Sequence, residues 1–127
     1  MNPHRILVID DDKVILWILK EWLELNGHLV TCAESVDEIL WLSLWQWSGF
    51  DCIITGINQP GLDGIEFTQL VQTTEGPPVI VMSGFNPQTA EPRAIAAGAA
   101  AFLSKPFDLQ ELLKVIDAVY CRFKSAG

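Results

Sequence analysis

Basic residues are scarce in this chain. Its 127 residues hold 8 Lys and Arg against 16 Asp and Glu, a formal charge of −8. A phosphate backbone is held by clustered cations, so direct binding of DNA or RNA is not expected. Long apolar runs are missing too. The longest span a few residues, against the roughly 20 that cross a bilayer, so no membrane association is expected. The opening MNPHRILVIDDD meets acid early and has no extended apolar stretch of the signal-peptide kind. The cysteines Cys32, Cys52 and Cys121 show no CxxC spacing, and free thiols in a reducing cytoplasm are the expectation. His4 and His28 are isolated, each expected at a surface or turn position, and they imply no metal cluster. Repeats, low-complexity tracts and linkers are absent.

What remains is an ordinary globular composition, 50% hydrophobic and 19% charged. One domain over 1–127 is expected, long enough to bury roughly two-thirds of its unfolded surface without a disulfide or metal. Short β-branched runs alternate with helical patterns. RILVI (5–9) reads as a strand buried on both faces. A helix follows over 12–25, with Ile15, Ile18, Leu19, Trp22 and Leu23 on one side, and Asn26-Gly27 stops it. HLVTC (28–32) is a second strand. Ser35-x-x-Glu38 is a capping box that opens a helix through about Trp45. DCIIT (51–55) is a third strand, and GINQPGLDG (56–64) a loop. Asp63-x-x-Glu66 is a second capping box, for a helix to about Thr73. PPVIVM (77–82) is a fourth strand. A weaker helix runs to Ala97; Pro92 inside its pattern predicts a late start near Glu91, or a kink. AAFLS (100–104) is the fifth strand, and Asp108 caps a last helix carrying Leu112, Val115, Ile116, Val119 and Tyr120.

Five βα units of this kind predict an α/β fold: a doubly wound, five-stranded parallel sheet, flavodoxin-like, in the order 2-1-3-4-5. Ligands of such sheets bind beyond the carboxyl ends of the strands. There the chain places Asp10, Asp11 and Asp12 after the first strand, Gly56, Ile57 and Asn58 after the third, Ser83 after the fourth and Lys105 after the fifth. Clustered carboxylates suit a hard cation such as Mg²⁺, and a hydroxyl with an ammonium suits phosphoryl oxygens. Taken singly, the acidic run reads as a solvated helix start, Ser83 as a turn residue and Lys105 as solvent-facing. Their conjunction on successive strand ends points to a metal-assisted phosphoryl site.

ILVIDDD, INQPGLDG, VIVMSG and FLSKPF together resemble the receiver domain of bacterial two-component response regulators, over about residues 4–123. The resemblance implies phosphorelay signalling in the cytoplasm, in which a histidine kinase passes a phosphoryl group to an aspartate at the end of the third strand. It assigns Asp10 and Asp11 to the acidic pair that helps hold Mg²⁺, and the Asn58 backbone carbonyl to the same ion. It assigns Ser83 and Lys105 to the phosphoryl group, Phe102 to the aromatic switch, and Pro106 to a cis peptide.

The acceptor departs from the pattern, because Gly56 stands in its place. Glycine supplies neither nucleophile nor metal carboxylate, so aspartyl phosphorylation at position 56 is chemically excluded. Thr55 should point to the opposite face, and Asp63 reads as a helix cap. With one carboxylate lost, Mg²⁺ binding is expected to be weak at best. Crowded carboxylates would then favour direct pairing of Lys105 with Asp10 or Asp11, which would lock one conformation. Phe102 lacks the hydroxyl of a tyrosine switch, and its position is equally consistent with plain packing.

The expected function is therefore a non-enzymatic, phosphorylation-independent interaction module. Its partner would be a histidine kinase, an output domain or another signalling protein. One alternative is an active phosphoacceptor using Asp10 or Asp11. The other is a flavodoxin-like binder of a small ligand, against which stands the lack of a GxGxxG or Walker loop after the first strand. Five tryptophans are many for this length. Trp22 falls with the core positions; Trp17, Trp41 and Trp45 do not. They are either partly buried against neighbouring helices or part of an apolar patch for a homodimer or a protein partner.

Overall fold

A computed structural model describes residues 4–37, 49–58, 62–84 and 86–126. Its strands are β1 (Arg5–Ile9), β2 (Leu29–Ala33), β3 (Cys52–Thr55), β4 (Val79–Ser83) and β5 (Ala101–Ser104). All pair in parallel, in the order β2-β1-β3-β4-β5. The helices among the described residues are α1 (Lys13–Leu25), α2 (Gly64–Thr73), α3 (Pro87–Ala96) and α4 (Leu109–Ala126). The helix expected from Ser35 to about Trp45, with Trp41 and Trp45, lies outside the described residues beyond Asp37, as do Pro60, Gly61 and Phe85 of the two predicted loops.

The continuous apolar strands work as expected for a sheet covered on both sides. Side chains alternate between faces along a strand. Ile6, Val8, Ile54, Ile80 and Met82 join Leu16, Leu19 and Leu23 of α1 and Leu112, Ile116 and Val119 of α4. Leu7, Ile9, Ile53 and Val81 join Phe67 and Val71 of α2 and Ala90 and Ala94 of α3 on the other side. Two half-cores thus hold the sheet between them, and fully buried side chains such as Phe67 and Leu23 each contribute about 1.5–3 kcal/mol.

Three expectations need correction. The buried face of α1 is Leu16, Leu19 and Leu23, while Ile15, Ile18 and Trp22 are only half-buried. Trp22 sits at the boundary because its Nε1 donates to the Leu109 carbonyl of α4 at 3.2 Å. Helix α3 starts at Pro87, not near Glu91. Proline has a φ suited to the first helical position, and the Asn86 carbonyl already accepts the Thr89 and Ala90 N–H groups, so the helix is nucleated before Pro92. Third, His4 and His28 are buried, each 3% exposed. Their rings stack at 5.1 Å, and Tyr120 covers His4 at 4.1 Å. Apolar aromatic contact and one hydrogen bond, His4 N–H to His28 Nδ1 at 3.1 Å, replace water here. The cysteines are free, and burial pushes the Cys52 thiol up to about 12.

Two predictions follow from this packing. Burial, then the neighbouring His4, lowers the His28 pKa below its ordinary 6.5, with Asp117 opposing. The unfolded chain therefore takes up this proton first. Stability from the neutral ring is complete above the unfolded pKa and is lost as pH falls below it. Thermal unfolding of the wild type should weaken more steeply than that of His28→Gln between about pH 7.5 and 5.5; parallel slopes would refute this. At the start of α2, a Cβ on Gly64 would overlap the Gly56 carbonyl oxygen. Gly64→Ala should cost about 3 kcal/mol or more in urea unfolding.

Candidate functional site

The carboxyl ends of β1, β3, β4 and β5 lie side by side, and four backbone links fix the cleft between them. The Gly56 N–H donates to the Ile9 carbonyl at 2.8 Å, tying the end of β3 to β1. The Lys105 N–H donates to the Ser83 carbonyl at 2.9 Å, tying β5 to β4. The Asp10 N–H reaches Ala33 of β2 at 3.1 Å, and the Gly64 N–H reaches the Ile57 carbonyl at 2.9 Å. Helix α2 is aimed at the cleft by its capping box. Asp63 Oδ1 accepts from the Ile65 and Glu66 N–H groups, and Glu66 Oε1 accepts from the Asp63 N–H. Asp63 is thereby occupied as a cap.

Asp10 is the centre of the cleft. It is 2% exposed, yet both carboxylate oxygens are satisfied. Oδ1 accepts the Asp12 N–H at 2.9 Å, and Oδ2 accepts Lys105 Nζ at 2.8 Å. Asp12 itself caps α1 through the Val14 and Ile15 N–H groups. A buried carboxylate without a cation would cost several kcal/mol, so the ammonium is what makes Asp10 tolerable here. The Lys105 stem runs along Gly84, where a Cβ would stand 3.1 Å from Lys105 Cβ. Asp11 is exposed and Asn58 is exposed on the opposite wall.

Position 56 faces this pair. A Cβ on Gly56 would meet Asp10 Oδ2 at 2.7 Å and its Cγ at 3.3 Å. The space that a side chain at 56 would use is therefore filled by the Asp10 carboxylate rather than left bare. Thr55 is buried and donates its hydroxyl to the Gly56 carbonyl at 2.8 Å. Ser83 is buried at the end of β4 and borders a cavity of about 190 Å³ shared with Asn58, Asn86, Thr89 and Arg93. Phe102, in mid-β5, is half-buried against the α2–α3 half-core. The Lys105–Pro106 peptide is cis. Trp17 lies away from the cleft and is 65% exposed.

The donor set does not suit a divalent cation as it stands. Mg²⁺ wants several hard oxygens in octahedral array. Gly56 offers no carboxylate, and Asp10 already accepts from Lys105 and Asp12. Among the described residues, no group of three or more His, Cys, Asp or Glu is arranged for a metal ion. Two features escaped the sequence reading. One is the backbone contact of Gly64 with Gly56, whose only sequence signal was a glycine directly after a capping aspartate. The other is that the Asp10 carboxylate lies against position 56, for which the glycine itself was the clue.

Known proteins share this fold. Residues 6–117 match the response regulator receiver domain family. The response regulator MprA of a Mycobacterium species is 34% identical over 121 residues, and Protein PetR of Rhodobacter capsulatus is 30% identical over 125. These matches cover 94% and 98% of the chain, and the chain spans about half the length of these relatives, 52% of each. A response regulator receiver domain protein from Clostridium thermocellum superposes with a TM-score of 0.87 at 31% identity, covering 97% of this chain and 98% of that one. Fold and strand order agree with these comparisons: the chain belongs to the receiver domain family of two-component response regulators.

Proposed function

We propose that this receiver domain signals without aspartyl phosphorylation. Receiver domains are signalling modules, and in this one the Asp10–Lys105 pair takes the place of a phosphoryl-centred network and holds a single conformation. The observation that carries the reading is the combination at one point of Gly56, which has no nucleophile, and a Lys105 ammonium already 2.8 Å from Asp10. Ser83 and Lys105 are then remnants of a phosphoryl site, and Phe102 is a switch position without a hydroxyl. The domain works as a cytoplasmic interaction module for a protein partner: a histidine kinase, an output domain or another signalling protein.

A second reading is favoured by one observation. Asp10 Oδ2 lies 2.7 Å from where the Cβ of an acceptor would begin, so of the two candidate carboxylates, Asp10 and Asp11, Asp10 is the one that borders the acceptor position. Its burial and its two hydrogen bonds oppose attack on a phosphoryl donor. Intact-mass measurement after incubation with a small acyl phosphate and Mg²⁺ separates the readings. The wild type should show no adduct; a stoichiometric phosphate adduct would establish the second reading. Gly56→Asp should regain Mg²⁺-dependent uptake, with Asp10 displaced to admit the new side chain. Failure to do so would mean that more than one residue has drifted.

The ion pair makes its own prediction. Lys105→Ala leaves a buried carboxylate unpaired and should lower the unfolding free energy by about 2 kcal/mol, discounted for the partly exposed lysine. Asp10→Ala combined with Lys105→Ala should cost less than the sum of the single changes. Additive losses would show that the two side chains are energetically independent.

A further inference from the structure

The His28 ring is fixed by hydrogen bonds as well as by burial. Its Nδ1 accepts the His4 backbone N–H at 3.1 Å, so this nitrogen carries a lone pair and the ring is neutral with its proton on Nε2. The backbone beside it is tied on both sides. The His28 N–H donates to the Leu23 carbonyl of α1 at 3.0 Å, and the Leu29 N–H donates to the His4 carbonyl at 2.9 Å. The two rings lie nearly parallel, 9° apart, and Tyr120 of α4 covers His4. His4 Nδ1 is buried with no hydrogen-bond partner. Asp117 of α4 stands 3.8 Å from His4 Nε2, beyond hydrogen-bond length, and Cys121 one turn further is exposed. On the other elements the charges are engaged elsewhere. Arg5 of β1 lies over the Phe50 ring, Asp51 before β3 accepts the Arg5 N–H, and Glu24 of α1 pairs with Lys20.

We propose that the His4–His28 pair is a proton-operated latch at the amino end of the sheet, which opens locally in acid and frees the α1–β2 turn from the head of β1. The proton enters at Nδ1 of His28, because Nε2 already carries one. It turns an acceptor into a donor and sets two N–H groups 3.1 Å apart, with a positive ring stacked on His4. The hydrogen bond is lost, and a buried cation without an acceptor moves out to water. The turn and the start of β2 go with the ring. Leu29, 64% exposed at the head of this edge strand, has little packing to hold it back. Opening stops within β2, because the Asp10 N–H grips the Ala33 carbonyl at the strand's other end. Burial and the neighbouring His4 both disfavour the charged ring, and Asp117 opposes them, so acid drives the latch open. The Asp10–Lys105 cleft lies at the opposite end of the sheet. A proton is thus an input separate from that cleft, whether or not the cleft takes phosphate.

Hydrogen exchange of the whole chain read by mass spectrometry, between about pH 7.5 and 5.5 and corrected for intrinsic rates, tests it. Amides of the α1–β2 turn and the start of β2, Gly27–Val30, should open up to about tenfold more for each pH unit lost, the limit for one proton, while those of β3 and β4 stay unchanged. His28→Gln, whose amide oxygen accepts from the His4 N–H without taking a proton, should abolish the response. His4→Phe keeps the backbone donor and the ring contact and should retain it. Nitrogen NMR of the wild-type rings provides a reading that needs no variant: His28 should carry its proton on Nε2 at neutral pH and gain one on Nδ1 as the turn opens. Equal gains in every strand would mean global unfolding and overturn the latch. So would a local response that survives in His28→Gln or vanishes in His4→Phe, or a His28 Nδ1 already protonated at neutral pH.

Discussion

One buried ion pair organises the functional end of this receiver domain. Asp10 is almost completely removed from water, and a carboxylate in that position must find a counter-charge or lose its charge. Lys105 meets it at 2.8 Å, and the Asp12 amide takes the other oxygen. The strand ends around it are tied by backbone hydrogen bonds, which leaves the pair little freedom to separate without exposing a charge. Glycine at 56 is the complementary condition. Any side chain there would press on the same carboxylate, so the closed pair and the bare backbone at 56 are two aspects of one arrangement.

Much of this could be read from the residues. Unbroken apolar strands, capping boxes and strand-end polar residues led to the sheet order and to the cluster at its carboxyl edge. Asp63 and Asp108 behave as the caps their spacing suggested. What escaped was tertiary. Nothing local told that Leu16 rather than Ile15 enters the core, since both fit a helical stripe and the docking angle of α1 decides between them. Pro92 looked like a helix start because proline breaks hydrogen bonds, but Pro87 and the Asn86 carbonyl had already begun the helix upstream. His4 and His28, 24 residues apart, meet only because β1 and β2 are neighbours.

The two ends of the sheet therefore differ in chemistry. The carboxyl end gathers charges and satisfies them in one pair. The amino end stacks the His4 and His28 rings, with Tyr120 against His4 and Asp117 3.8 Å from His4 Nε2. Acid therefore perturbs the amino end by adding a proton to the His28 ring, whose burial favours the neutral form.

The ion pair also spans more of the sheet than its length suggests. Asp10 follows β1 and Lys105 follows the edge strand β5, with β3 and β4 lying between them. Edge strands ordinarily fray first, because half their backbone groups face solvent. Here peeling β5 away would strand a charge in the interior, so the edge is clasped to the middle of the sheet. Amide hydrogens along β5 and β1 should thus exchange as one cooperative unit, and the least protected border of the domain becomes the β2 side.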